Sequence, residues 1–194
     1  HAPGASIAIV MDGRLVYTKA IGVRNIETAE AMTPETLVRI GSITKSFTAL
    51  AVMQLVDRGK LNLDTPLRDY LDKSLPSYAP DPVFPDKYGP YKDLAEEPRW
   101  TKITPRMCLT HSTGFHNFAF AEPDGKLRIH FEPGTRYSYS GEGLILLQFV
   151  IEHGSTARGL GLDVGRLTQN DFDRLGMTRT SLVWRSDFAA NLAD

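Results

Sequence analysis

The chain has 194 residues, 42% of them hydrophobic, with 22 Lys and Arg against 23 Asp and Glu and a formal net charge of −1. That content suffices for a packed core in one domain or two small ones. No basic stripe or acidic tail appears along the sequence, so nucleic acid and anionic membranes are not expected partners.

Cys108 is the only cysteine, so no internal disulfide forms, and it reads as a small apolar filler on a helix. The chain opens in "HAPGASIAIV", a strand pattern with almost no lead-in. A trimmed N-terminus is the expectation, and the compartment stays open, with no signal peptide in the chain. "GASIAIVMDGRLVYTKAIG" then holds two apolar runs around Asp12-Gly13, a strong short-range hairpin signal. Antiparallel strands are expected over Ala5–Met11 and Arg14–Ile21. Thr33-Pro34 marks a turn. From Phe47 to Val56 the apolar residues lie on almost every side, which predicts a buried helix stopped by Gly59 at its C′ position. Asp64 or Thr65 before Pro66 starts a short helix through Leu71.

Seven of the twelve prolines fall between Pro76 and Pro105, so regular structure is not expected there. Loops of this length in compact proteins commonly border a site. Trp100 and Tyr88 in this loop either line an acyl pocket or pin the loop down, and pinning is preferred. Thr104-Pro105 is an N-cap and first-turn pair opening a helix over Met107 to Thr110, which "HSTGF" ends. "EPDG" and "EPGT" flank a short segment at Lys126–Phe131. "LILLQFVI", Leu144 to Ile151, is the longest apolar run. It is far too short to span a bilayer and reads as a buried helix.

The chemistry-bearing candidate lies in "GSITKSFTALAVMQLVDRG", Gly41 to Gly59. A phosphate-binding loop would need Gly directly before the Lys, but Thr44 precedes Lys45 and Arg39 stands where the first Gly belongs. What remains is Ser42-Ile43-Thr44-Lys45, a Ser-x-x-Lys. On a helix, residues three apart share a face, so the ammonium reaches the hydroxyl one turn back. A Ser at a helix N-terminus also sits among unpaired N–H groups that stabilise negative charge. The bland alternative is a Ser N-cap followed by a solvated Lys.

Several segments together resemble one family, the penicillin-recognising serine hydrolases: class C β-lactamases, D-Ala-D-Ala carboxypeptidases and related esterases and amidases. They are "GASIAIVMDGRLVYTKAIGVRN", "TPETLVRIGSITKSFTALAVMQLVDRGKLNLDTPLRDYL", "ITPRMCLTHSTGF", "FEPGTRYSYSGEGLILLQFVIE" and "LGMTRTSLVW", in the family's order and over most of the chain. The resemblance implies Ser42 as the acylated nucleophile, Lys45 as its partner and Tyr139 of "YSG" as the second-motif tyrosine. Tyr137 is the rival two positions away. The family pattern there is Tyr-x-Asn, and Gly141 replaces the Asn associated with the substrate amide, which favours ester hydrolysis. The family's third motif, Lys or His then Thr or Ser and Gly on a later strand, has no counterpart before Asp194. The chain is therefore expected to be the N-terminal part of a larger enzyme, with the remainder completing the sheet and the site.

The implied fold is α+β, a three-layer α/β/α with an antiparallel sheet flanked by helices, plus a helical subdomain. Residues 1–63 would carry the hairpin and nucleophile helix, residues 64–173 the mostly helical subdomain with the Pro-rich loop 76–105, and residues 174–194 the start of the return. A free Ser hydroxyl needs a proton acceptor, and the residue types leave both Lys45 and Tyr139 open for that role. His111 as base of a Ser-His-Asp triad is a weaker alternative; a brace for the loop after its helix is preferred. His111 and His116, five apart with no carboxylate or Cys beside them, do not make a metal pair, so neither metal nor cofactor is expected. The partner is a small-molecule ester, amide or β-lactam, in that order for esters, D-amino-acid peptides or amides, and β-lactams. The resemblance points to a periplasmic or secreted setting. The alternative from another class is a non-catalytic or slowly deacylating penicillin sensor or scaffold.

Overall fold

The computed structural model describes residues 2–193, which fall into two compact units. Of the described residues, 2–44 and 169–193 make up one and Lys45–Thr168 the other. Residues 45–63 thus group with the helical part, where the sequence suggested a boundary at 63/64.

In the first unit, strands β1 (Gly4–Met11) and β2 (Arg14–Gly22) pair antiparallel from Gly4↔Gly22 to Met11↔Arg14, with an irregularity between Ile9 and Val10. Asp12 and Gly13 both have positive φ, 49° and 72°. That is the left-handed pair that a two-residue hairpin turn needs to match strand twist. Both faces of the ribbon carry exposed apolar side chains, among them Ile7, Val10, Leu15 and Val16. Further along, Leu37 and Leu192 form a parallel bridge, with Leu37 N–H donating to the Asn191 carbonyl at 2.8 Å.

The second unit holds the core. Helix α1 (Thr44–Asp57) ends in two bonds: Lys60 N–H to the Leu55 carbonyl and Gly59 N–H to the Val56 carbonyl, both 2.9 Å. With Gly59 at φ +66°, this is the Schellman arrangement that the glycine foretold. The expectation of a helix buried all round is corrected. Ala51, Val52 and Leu55 are buried, but Leu50 and Met53 are more than 40% exposed. Apolarity on every side of a sequence wheel says nothing about what covers each side. The short helix expected after Pro66 is a single 3₁₀ turn, Leu67–Tyr70.

Helix α2 (Pro105–Leu109) starts as expected, with the Thr104 hydroxyl accepting from Met107 N–H at 3.3 Å. Helix α3 (Gly141–His153) is buried almost entirely, from Leu144 to Ile151. Helix α4 spans Val164–Arg174. The Pro-rich loop contains only 3₁₀ turns, at Leu75–Ser77, Tyr91–Leu94 and Pro98–Lys102. Its order comes from packing. Tyr78, Tyr88 and Tyr91 each meet Phe149 edge-on at 5.0 Å between ring centroids, and His153 stacks on the same ring at 4.4 Å. Edge-to-face pairs add stability beyond area burial, about 0.5–1.5 kcal/mol each. Trp100 is buried in the same core, which agrees with pinning. Among the described residues no helix is long and apolar enough to cross a membrane.

Candidate active site

Ser42 lies in a 3₁₀ turn, Gly41–Ile43, that precedes α1 directly. Gly41 at φ +53° gives the chain its bend into the turn. The Thr44 N–H closes it by donating to the carbonyls of Gly41 and Ser42. Ser42 is exposed and belongs to the first unit.

Lys45, one residue into the second unit, is half-buried in the first turn of α1. Its ammonium lies over the Tyr139 ring, 4.9 Å from the centroid. A cation over an aromatic face is attracted by the ring quadrupole, by about 0.5–2 kcal/mol depending on desolvation. Of the two candidate tyrosines, Tyr139 is 38% exposed and Tyr137 68%.

His111 joins this pair. It is the C′ residue of α2, with a left-handed φ of 55° where glycine would be the usual choice. Ser112 N–H donates to the Met107 carbonyl at 2.9 Å and His111 N–H to the Cys108 carbonyl at 3.3 Å, the two bonds of a Schellman stop. The His111 ring packs against Tyr139, 4.5 Å between centroids at 37°, and meets Tyr137 edge-on at 5.8 Å. Its Nδ1 is 3.1 Å from both the carbonyl and the N–H of Ser140. The first bond needs a proton on Nδ1, the second needs it bare. Burial lowers the imidazole below its ordinary range. The Ser140 carbonyl works against that, and the Lys45 charge adds to it.

The start of α3 is built around close approach. Ser140 caps it, its hydroxyl accepting from Gly143 N–H at 3.0 Å and donating to the His116 carbonyl at 2.9 Å. Gly141 N–H donates to the Asn117 side-chain oxygen at 2.9 Å. A Cβ on Gly141 would stand 2.3 Å from the Phe118 ring, so no side chain fits at 141 unless Phe118 moves. Sequence reading noted the missing Asn at 141 but not Phe118, its physical counterpart. A glycine directly after a helix N-cap was the available sign of close approach. Glu142 is buried, its Oε1 accepting from Ala119 N–H at 2.8 Å, and burial raises its carboxyl above the ordinary range.

Two other ionisable groups are fixed by the packing. Cys108 is fully buried, which pushes its thiol far up and leaves it unreactive. Tyr88 hydrogen-bonds Glu152, and burial with that bond pushes the phenol up to about 12.

The chain as a whole is similar to known proteins. The family model described as Beta-lactamase matches residues 1–194. The serine beta-lactamase-like protein LACTB of Bos taurus mitochondria is 31% identical over 117 residues, covering 60% of this chain and 18% of that protein. A D-aminopeptidase of Brucella anthropi is 30% identical, covering 93% of this chain and 33% of its own length. The octameric penicillin-binding protein homologue of Pyrococcus abyssi superposes with a TM-score of 0.70 at 30% identity, over 98% of this chain and 43% of that one. The chain therefore spans a third or less of these two curated relatives, and its α+β architecture is that of β-lactamases and penicillin-binding proteins. It belongs to the beta-lactamase family, the penicillin-recognising serine hydrolases.

Proposed function

We propose that the protein containing this chain is an acyl-transferring serine hydrolase, with Ser42 as nucleophile and Lys45 and Tyr139 as the pair that handles its proton. The observation that carries this is the Lys45 ammonium over the Tyr139 ring at 4.9 Å, with Ser42 three residues ahead of Lys45. The Ser42 Oγ gives its proton to this pair and attacks the acyl carbon. The bond to the leaving group breaks and the leaving group takes the proton; water then adds its hydroxyl to the acyl carbon, the acyl–Oγ bond breaks, and the water's proton returns to Oγ. Neither metal nor cofactor is needed for any of these steps.

Small esters are the first substrate class, ahead of D-amino-acid peptides or amides, and β-lactams come third. Support comes from Gly141. An amide substrate benefits from a carboxamide at this position in the resembling family, and here Phe118 occupies the space of any Cβ. The Brucella anthropi relative's name supports D-amino-acid peptides as the second class. A site that hydrogen-bonds a substrate group discriminates strongly, so the loss of one donor shifts preference rather than abolishing turnover.

The test is a fluorophosphonate probe with intact-mass readout, followed by p-nitrophenyl ester, D-Ala anilide and nitrocefin turnover on the full-length protein. One adduct mapped to Ser42, absent in Ser42→Ala, is expected. Lys45→Ala and Tyr139→Phe are expected to lower kcat by about 10²–10⁴-fold. No adduct would end the nucleophile assignment. Amide or β-lactam turnover exceeding ester turnover would overturn the ranking alone. A Ser42 adduct with penicillin that persists for hours, without ester turnover, would move the protein to the sensor class.

A further inference from the structure

We infer that His116, Glu122 and His130 form a binding site for a zinc-class divalent cation, separate from the proposed catalytic residues. Sequence spacing argued against His116 as a ligand because no carboxylate accompanied it. The fold supplies one. His116 Nδ1 lies 2.7 Å and His130 Nε2 2.8 Å from the same oxygen, Glu122 Oε1. One ligand atom from each residue thus falls within 4.8 Å of the others. Two imidazoles and a carboxylate are a donor set that zinc and its neighbours favour over magnesium or calcium.

The frame around these atoms is fixed by backbone bonds. His130 N–H donates to the Gly114 carbonyl at 2.8 Å, Glu122 N–H to the Ala119 carbonyl at 3.0 Å, and the His116 carbonyl accepts from the Ser140 hydroxyl. The Glu122 side chain is only 9% exposed, and that of His130 25%. His116 is the more exposed partner, its side chain 54% exposed and its ring stacked 3.5 Å from that of His130 at 8°. Tetrahedral coordination with bonds of about 2.0–2.1 Å sets ligand atoms about 3.3 Å apart. The cation therefore widens the present hydrogen-bond spacing by about half an ångström, and the exposed His116 ring tilts off the stack to aim its lone pair. Glu122 accepts both bonds, so the ring nitrogen of each His that faces it must be bare of its proton before it can bind the cation. Arg128, the nearby cation, is held by both oxygens of Asp124 at 2.5 and 2.6 Å, which leaves Glu122 to the imidazoles.

The test uses Co²⁺ as a spectroscopic stand-in for zinc on the full-length protein. Expected are visible d–d bands of a nitrogen–oxygen site saturating at one Co²⁺ per chain, displaced by Zn²⁺, and a rise in unfolding midpoint with either ion. His116→Ala removes an exposed ring and leaves the fold intact. This variant and Glu122→Gln are each expected to weaken Co²⁺ binding at least about tenfold, with the metal-free far-UV spectrum unchanged. Absence of saturable bands at micromolar protein would overturn the assignment. So would bands of equal strength in His116→Ala and Glu122→Gln, which would place the ion elsewhere.

Discussion

His111 occupies a backbone conformation that costs a β-carbon residue of order 1 kcal/mol, and such strain persists where the surroundings over-determine it. Its ring is held by Ser140 and laid against Tyr139, so one residue both ends the helix and packs against the tyrosine. Its folded-state ionisation lies below that of the free imidazole because of burial and the Lys45 charge. A depressed folded value means stability that is present above about pH 6.5 and is lost as pH falls through the folded value. His111→Asn tolerates the left-handed conformation and removes the titration. Its unfolding midpoint is expected to lack this acid-side decline, read as Tm against pH from about 5 to 8. An unchanged profile would show that His111 titrates alike in the folded and unfolded chains, against a depressed folded value. The same variant separates orientation from folding. If His111 positions Tyr139, kcat on the ester substrate falls by about tenfold or more while KM holds, since a small misplacement of a catalytic group costs rate.

The elements divide into those that announce themselves and those that do not. The hairpin was legible because Asp12-Gly13 dictates a turn with two left-handed residues, and α2 because Thr104-Pro105 is a cap followed by a pre-set φ. The stop of α1 followed from Gly59. The burial of α1 was misjudged because a helical wheel reports apolarity and not neighbours. Within the candidate site, Ser42, Lys45 and Tyr139 were proposed from motif and resemblance. The placement of Phe118 over Gly141, and of Glu122 between two imidazoles, depends on loops with no periodic signal. Helix α3 shows the consequence at the level of an element. Its first turn buries Glu142 beneath Gly89, whose missing Cβ would stand 2.6 Å from Oε2, and that oxygen has no hydrogen-bond partner among the described residues. Burial raises this carboxyl, so its contribution is most favourable below about pH 4.3 and is lost as pH rises through the folded value. Glu142→Gln keeps an oxygen for Ala119 N–H and cannot ionise. It is expected to gain about 1–3 kcal/mol over the native chain near neutrality and to lose that advantage near pH 4, measured by urea unfolding at both pH values. An advantage equal at both would mean packing rather than charge.

At the scale of the whole molecule, the two units bury apolar surface very unequally. The second unit encloses a continuous core running from Val52 through Leu75, Ile103 and Phe115 to Val150. The first unit's ribbon is wet on both faces, with Val10 and Leu15 each 62% exposed. A two-stranded hairpin without a covered face is marginal in water, and local opening energies range from near zero to the global value according to such burial. Hydrogen exchange on the 194-residue chain should therefore rank the elements. Amides of Leu146 to Ile151 in α3 are expected to exchange at least about a hundredfold more slowly than the paired amides of β1 and β2, a difference of roughly 3 kcal/mol in opening free energy. Protection in the hairpin equal to that in α3 would show that its exposed apolar faces are covered in solution, by self-association or by contact with the second unit. Dilution distinguishes these: protection that falls with concentration is intermolecular, whereas protection that stays constant belongs to the single chain.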